Sequence, residues 1–225
     1  QLAKARSTVD GILRKAVGLG KLTAAEADAS IARLVTTPDV SQALADVDVV
    51  IETAPERMDI KLQLFAAIEA HAPAQAVVGT NTSALSITEM AGPLTDPTRV
   101  AGMHFFNPVH KMKLIEIVRA LESSERSLAT IEAVARRMGK ETVLVREAPG
   151  FITTRVNASI GNEAFYMLME GVASARDIDK ALKLGLNHPM GPFELVDLVG
   201  LDTRLSILES LHRSLGEKYR PCPLL

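Results

Sequence analysis

The pattern of apolar and polar positions changes character once along the chain, near Pro149. Before it, short β-rich apolar runs alternate with helix-period stretches; after it, only helical periods remain. Residues 2–17 place Leu2, Val9, Ile12, Leu13 and Ala16 roughly on one face, with Lys4, Arg6, Arg14 and Lys15 elsewhere, and Gly18 and Gly20 end this helix. Thr23-Ala-Ala-Glu26 has the spacing of a capping box and predicts a second helix to about residue 32. A short strand is expected over 33–36, then one or two helical turns over 38–44. Residues 47–53 (VDVVIET) are nearly all apolar, as suits a strand buried on both faces. A helix is expected over 55–72, with Leu62, Phe65, Ile68 and Ala72 on one stripe. A short strand over 76–80 and a short helix over 86–91 follow, then strands over 100–106 and 114–118. Residues 124–138 are amphipathic, with Leu128, Ile131, Val134 and Met138 in register, and 142–145 is a last short strand. Helices are then expected over 151–170, 174–184 and 192–215. Alternating strands and helices imply an α/β layer structure with a mainly parallel sheet. The expected organisation is therefore an α/β domain over residues 1–148 and an all-α domain over 149–225.

One stretch stands out chemically: residues 100–118, VAGMHFFNPVHKMKLIEIV. Its two apolar runs flank a turn containing Asn107-Pro108; the first carries His104 and the second Glu116. Strand, turn and strand would bring the runs side by side. An imidazole beside a carboxylate is the usual way to build a general base with a fixed tautomer. A carboxylate inside LIEIV is costly to bury without a partner, and a nearby histidine is the natural one. The competing reading is an apolar hairpin with one incidental polar residue in each strand.

Composition narrows the picture. The 225 residues are 47% hydrophobic and 23% charged, ordinary for a soluble globular protein, and the length admits one large domain or two smaller ones. A formal net charge of -2 gives no general basic field for nucleic acid. A polyanionic small molecule would have to be met by a local cluster of positive charge. The single cysteine, Cys222, excludes an internal disulfide and fits a reducing compartment, which points to the cytoplasm. No apolar run approaches the ~18 residues of a membrane span, and no apolar segment of signal-peptide type follows the first charges. No Cys/His set has metal-ligand spacing, so no metal site is expected.

In open parallel sheets, ligands sit outside the carboxyl ends of the strands. Glu56 and Lys61 follow the strand at 47–53, Ser83 follows the strand at 76–80, and His104 is near the end of 100–106. That convergence marks a candidate site. Singly, each residue has a plainer explanation. Glu56 suits the first turn of a helix, Lys61 a solvated helix face, and Ser83 a turn or N-cap. The chain contains no G-x-G-x-x-G; Gly18-Leu-Gly20 and the segment from Gly185 to Gly191 have neither the spacing nor a strand before them.

With these residues in place, the sequence resembles a known family. HFFNPVHKMKLIEIV resembles the catalytic segment of the NAD-dependent L-3-hydroxyacyl-CoA dehydrogenases, and NTSALSIT resembles that family's Asn-Thr-Ser segment. DVVIETAPERMDIKLQLF is similar to its strand and following helix with a glutamate and a lysine. APGFITTRVN resembles its domain-boundary segment and HPMGPFELVDLVGLD its helical-domain segment. The five matches occur in family order over most of residues 48–202, and the small-chain 3-hydroxybutyryl-CoA dehydrogenases are the nearest subgroup. The resemblance implies a Rossmann-type domain followed by a helical domain, NAD as cofactor and an acyl-CoA as substrate. It implies that His104 is the general base for the 3-hydroxyl and that Glu116 holds and polarises it. Ser83 would hydrogen-bond the substrate oxygen near the nicotinamide, and Asn107 would help place nicotinamide and substrate. Glu56 and Lys61 would contact the ribose and nicotinamide side of the cofactor. Thr154 stands where the family has asparagine and would offer the substrate a shorter-reaching donor. Lys111 and Lys113, with Lys4, Arg6, Arg14 and Lys15, are candidate counter-charges for CoA, although each taken singly reads more simply as a solvated surface residue; the resemblance also implies a homodimer through the helical domain.

The sequence departs from the family in lacking the opening strand–Gly-rich turn–helix unit, the acidic ribose ligand and the Gly/Lys-rich closing segment. The expectation is a Rossmann-type sheet truncated by its first βαβ unit, in a chain that is part of a longer protein. Dehydrogenases of the hydroxyisobutyrate type are a rival, but they use a lysine in the helical domain and lack the His104–Glu116 pair. A non-catalytic, crystallin-like relative is discouraged by the intact His104, Glu116, Ser83 and Asn107. A module of a fused β-oxidation enzyme is a third reading, which residues upstream of Gln1 would decide.

Overall fold

The computed structural model describes all of residues 1–225. The β-rich runs become strands β1 (Val49–Glu52), β2 (Val77–Thr80), β3 (Val100–Phe105), β4 (Leu114–Arg119) and β5 (Glu141–Arg146). They form one sheet in the order β1-β2-β3-β4-β5. The β1–β2, β2–β3 and β4–β5 pairs are parallel and β3–β4 is antiparallel. A parallel crossover needs a helix, whereas an antiparallel neighbour needs only a turn. The short 106–113 segment therefore places β4 directly against β3.

Successive strand residues point to opposite faces, so one apolar run feeds two cores. Val78, Val100 and Val118 pack with Phe65 and Ile68 of α4 (Met58–His71) and with Ile87 and Met90 of α5 (Ile87–Ala91). On the other face Val77, Ala101, Met103, Ile115 and Ile117 pack with Leu128, Ile131 and Ala135 of α6 (Glu125–Arg137). Each buried Val, Leu, Ile, Phe or Met among them contributes roughly 1.5–3 kcal/mol by leaving water. The helix expected from residue 55 begins at Met58, because residues 53–57 form an irregular connector.

At the N-terminal end, α1 (Leu2–Gly18) contributes no buried residue and lies against α2 (Ala24–Ala32). The Thr23–Glu26 capping box is formed in both directions. Asp39 caps the short α3 (Val40–Leu44). The strand expected over 33–36 is absent. Val35 is 83% exposed and no neighbouring strand lies alongside, so β propensity there has no ladder to join.

After β5 every long element is an α-helix: α7 (Thr153–Met169), α8 (Ala175–Gly185), α9 (Pro192–Val199) and α10 (Leu201–Leu215). The single helix expected over 192–215 is two. Gly200 has a φ of 96°, outside the helical region, and ends α9 before α10 restarts. Buried Asp179 of α8 accepts the backbone N–H groups of Phe193 and Glu194 at 2.9 and 3.1 Å and so caps α9. Glu147, just beyond β5, accepts the Ser86 hydroxyl at 2.6 Å and the Thr88 N–H at 3.0 Å, fastening the linker to α5. No helix is long and apolar enough to cross a membrane.

Gly102 of β3 marks the tightest point of the sheet. A Cβ there would lie 2.6 Å from both Ile87 Cδ1 and Val118 Cβ. Gly102→Ala is expected to cost about 1–3 kcal/mol through overpacking. Gly11→Ala, where no atom lies within 4 Å of the added Cβ, is expected to gain about 0.5–1 kcal/mol in mid-helix. Thermal unfolding of the two variants beside the parent checks both signs.

Candidate active site

The antiparallel register puts His104 of β3 directly opposite Glu116 of β4. Their side chains meet: His104 Nδ1 lies 2.8 Å from Glu116 Oε2. An ionised carboxylate can only accept, so Nδ1 carries the proton and Nε2 presents its lone pair. Glu116 is 0% exposed and His104 5%. Two further donors reach Glu116 from the first residue of α7. The Thr153 N–H donates to Oε1 at 3.0 Å and the Thr153 hydroxyl to Oε2 at 3.1 Å. Burial is the largest influence on Glu116 and pushes its pKa up. The hydrogen bonds from His104 and Thr153 together outweigh burial, and the net pKa lies below the ordinary glutamate value. Phe106 and Phe151 flank the imidazole, with ring centroids 4.8 and 5.6 Å away.

A second polar cluster closes the carboxyl end of β1. Glu52, its last residue, is buried and accepts both the Lys61 ammonium, at 3.0 and 2.9 Å, and the Thr80 hydroxyl, at 2.6 Å. The Ala54 N–H also donates to it. Lys61 is 1% exposed; besides Glu52 it donates to the Ala54 carbonyl at 3.1 Å and approaches Glu56 at 3.8 Å. The structure thus turns Lys61 inward, under the connector, rather than out toward an open surface. Glu56 faces outward and braces the segment after β2. Its Oε1 accepts the Thr82 hydroxyl at 2.7 Å and the Ser83 and Ala84 N–H groups at 2.8 and 2.9 Å. These bonds engage the Ser83 backbone and leave its hydroxyl free of intramolecular partners.

Asn107 is exposed and lies in the turn after β3, where the Asn107-Pro108 peptide is cis. Lys111 is exposed in the same turn. Thr154 is half-buried on the first turn of α7 and makes no bond to Glu116; the adjacent Thr153 makes both. At the site, Glu52, Thr153 and Asn81 all do structural work to which the sequence reading assigns no role. Asn81 accepts the Phe105 N–H at 2.8 Å and ties the end of β2 to the end of β3. Glu52 could have been found by asking why a carboxylate ends an otherwise apolar strand.

A mainly parallel sheet with an imidazole–carboxylate pair and uncommitted polar groups at its carboxyl ends, joined to a helical part, has the build of a two-domain dinucleotide-dependent oxidoreductase. Residues 1–148 match the family model described as 3-hydroxyacyl-CoA dehydrogenase, NAD binding domain, and residues 150–225 match that family's C-terminal domain. The chain belongs to the 3-hydroxyacyl-CoA dehydrogenase family, and its cofactor is NAD. It is 46% identical over 210 residues to a probable 3-hydroxybutyryl-CoA dehydrogenase of Bacillus subtilis, covering 92% of this chain and 72% of that one. It is 38% identical over 226 residues to a 3-hydroxybutyryl-CoA dehydrogenase of Bradyrhizobium diazoefficiens, covering 100% and 77%. The crystal structure of (S)-3-hydroxybutyryl-CoA dehydrogenase from Ralstonia eutropha superposes with a TM-score of 0.93 at 38% identity, covering 98% of this chain and 78% of that one.

The lowered pKa of Glu116 has a consequence for stability. A carboxyl group whose folded pKa lies below its unfolded value stabilises the fold above the unfolded pKa, about 4.3. That contribution is lost as pH falls through the folded value. Glu116→Gln is therefore expected to be less stable than the parent at pH 5, with the gap closing as pH falls below about 4. Denaturant titrations across that range measure the gap; one that stays constant or widens would contradict the ionised, hydrogen-bonded Glu116.

Proposed function

We propose that this protein interconverts (S)-3-hydroxyacyl-CoA and 3-oxoacyl-CoA, with His104 as general base and Glu116 as the group that orients it. The observation that carries this reading is the 2.8 Å His104–Glu116 contact, which leaves Nε2 as the basic nitrogen. In the oxidative direction Nε2 takes the proton of the 3-hydroxyl. Glu116 stabilises the imidazolium that forms. The Ser83 hydroxyl donates to the oxygen on C3 and lowers the cost of charge developing there. In the reductive direction His104 returns the proton. NAD, when bound, accepts the hydride from C3 or returns it.

The residues at the carboxyl ends of β1, β2 and β3 suit that cofactor. Glu56 offers a carboxylate for ribose hydroxyls, and Ser83 and Asn107 offer a hydroxyl and an amide for the nicotinamide side. Lys61 serves the cofactor from beneath, through Glu52 and Glu56, since its ammonium is committed to them. Thr154 and Lys111 border the substrate side, the latter as a counter-charge for CoA. The part up to residue 148 holds the cofactor; the part from 149 on shapes the substrate site and forms a homodimer. Exposed Ile152, Val156, Leu198 and Leu201 supply apolar surface for that contact. The lone cysteine suits a reducing, cytoplasmic setting.

Loss of NADH absorbance with acetoacetyl-CoA tests the reading. His104→Gln is expected to lower turnover by about two to four orders of magnitude, as for loss of a general base. Glu116→Gln is expected to lower turnover while leaving NADH affinity intact. Near-normal turnover in His104→Gln removes the imidazole from the mechanism.

A further inference from the structure

The oxidation moves one positive charge across the site. Before the step it lies on the nicotinamide ring and His104 is neutral. Afterwards the ring is neutral and His104 carries the hydroxyl proton. One C–H pair has gone to the ring as hydride, one proton to Nε2, and the C3 alcohol has become a ketone. Glu116 is the counter-charge at the proton-accepting end, on the β3–β4 pair. The cluster at the end of β1 has the composition to serve the other end.

Glu52 and Glu56 flank a single ammonium, Lys61, at 2.9 and 3.8 Å. Two carboxylates and one ammonium leave a formal charge of about -1. Glu52 and Lys61 are 2% and 1% exposed at their side chains, so water and salt screen them little. Neighbouring strands lie about 4.8 Å apart, which puts the ends of β1 and β3 roughly 10 Å from each other. The Ser83 segment lies after β2, between them. The Ser83 segment thus has the β1 cluster on one side and the His104–Glu116 pair on the other.

We propose that the Glu52–Lys61–Glu56 cluster is the counter-charge for the oxidised nicotinamide. In that role the buried carboxylate of Glu52 sets how strongly the protein prefers NAD+ to NADH. This rests on the dehydrogenase reading above. For stability alone a buried ion pair brings little over a packed apolar pair. Here the pair is joined by a second carboxylate that also holds the Ser83 and Ala84 N–H groups. Thr80 and Lys61 hold the Glu52 carboxylate, and Lys61 approaches the Glu56 that holds the Ser83 segment, so charge on Glu52 adjoins that segment through Lys61 and Glu56.

The test is the dissociation constants of NAD+ and NADH, measured separately at fixed ionic strength, NADH by its fluorescence and NAD+ by competition. Glu52→Gln keeps the size and an acceptor for Thr80 and Lys61 but removes the charge. It is expected to weaken NAD+ binding about tenfold while NADH stays within about twofold, a shift in the ratio of about 1.4 kcal/mol. Thr80→Val removes the 2.6 Å hydrogen bond without changing charge and is expected to leave the ratio unmoved. Both constants shifting together in Glu52→Gln would make Glu52 a structural brace only and overturn the inference. So would a ratio that moves as far in Thr80→Val. Should Glu52→Gln fail to fold, Glu56→Gln makes the same change of charge on the exposed side, and a ratio unmoved there overturns the inference equally. The measurements use the full-length protein; if that protein binds neither nucleotide, the dehydrogenase reading itself fails, and this inference with it.

Discussion

A carboxylate with no exposed surface sits in the middle of β4, opposite a histidine in β3. Burying that charge is costly unless donors surround it, and Glu116 has three: His104 Nδ1, the Thr153 N–H and the Thr153 hydroxyl. Much else in the structure supplies this requirement. The β3–β4 pair is antiparallel, in a sheet otherwise parallel, and antiparallel residues face each other directly across the ladder. Two packed strands hold His104 and Glu116, so the separation of the proposed base and orienter does not depend on a mobile loop. Phe106 and Phe151 close over the ring and keep the pair out of bulk water.

The same logic recurs at the end of β1. Glu52 is buried with Lys61 and accepts from the Lys61 ammonium, the Thr80 hydroxyl and the Ala54 N–H. A fully satisfied buried network is rigid, whereas a half-satisfied one would be worse than an apolar core. The rigidity passes outward: Lys61 approaches Glu56, and Glu56 fixes the backbone of Ser83. The hydroxyl proposed to meet the substrate oxygen is thereby presented by a segment whose N–H groups are already committed. Asn81 ties the same segment to Phe105, one residue beyond His104.

What the sequence disclosed follows from this. His104 and Glu116 were legible because LIEIV breaks an apolar run with a charge that demands a partner, and a histidine lies one turn away. The identical question asked of VVIET would have exposed Glu52, but that strand was read as simply apolar. The helical spacing of Lys61 points to a solvated face and the resemblance points to the cofactor; the structure buries its ammonium against Glu52. Thr153 and Thr154 are adjacent and chemically alike, and only the position of the α7 start decides which one reaches Glu116. The expected strand over 33–36 had propensity but no partner strand. The expected helix over 192–215 had periodicity on both sides of Gly200, where the backbone takes a φ that ends a helix.

Thr153 gives the two-part architecture a chemical meaning. It opens α7, the first helix after the sheet, yet both of its donors point to Glu116 in the sheet. The docking of the helical part therefore contributes directly to keeping Glu116 ionised, alongside His104 itself. A carboxylate supported in that way remains a strong acceptor for the Nδ1 proton, which fixes the tautomer and the orientation of the ring. Displacing α7 would remove two of three donors from a charge with no access to water. Glu116 would then lean on His104 alone or become protonated, and either change alters the hydrogen bond to the imidazole proposed as the base. The position of the helical part and the hydrogen bonding of the His104–Glu116 pair are coupled through one threonine, so the interface between the two parts supports the proposed base as much as the strands do.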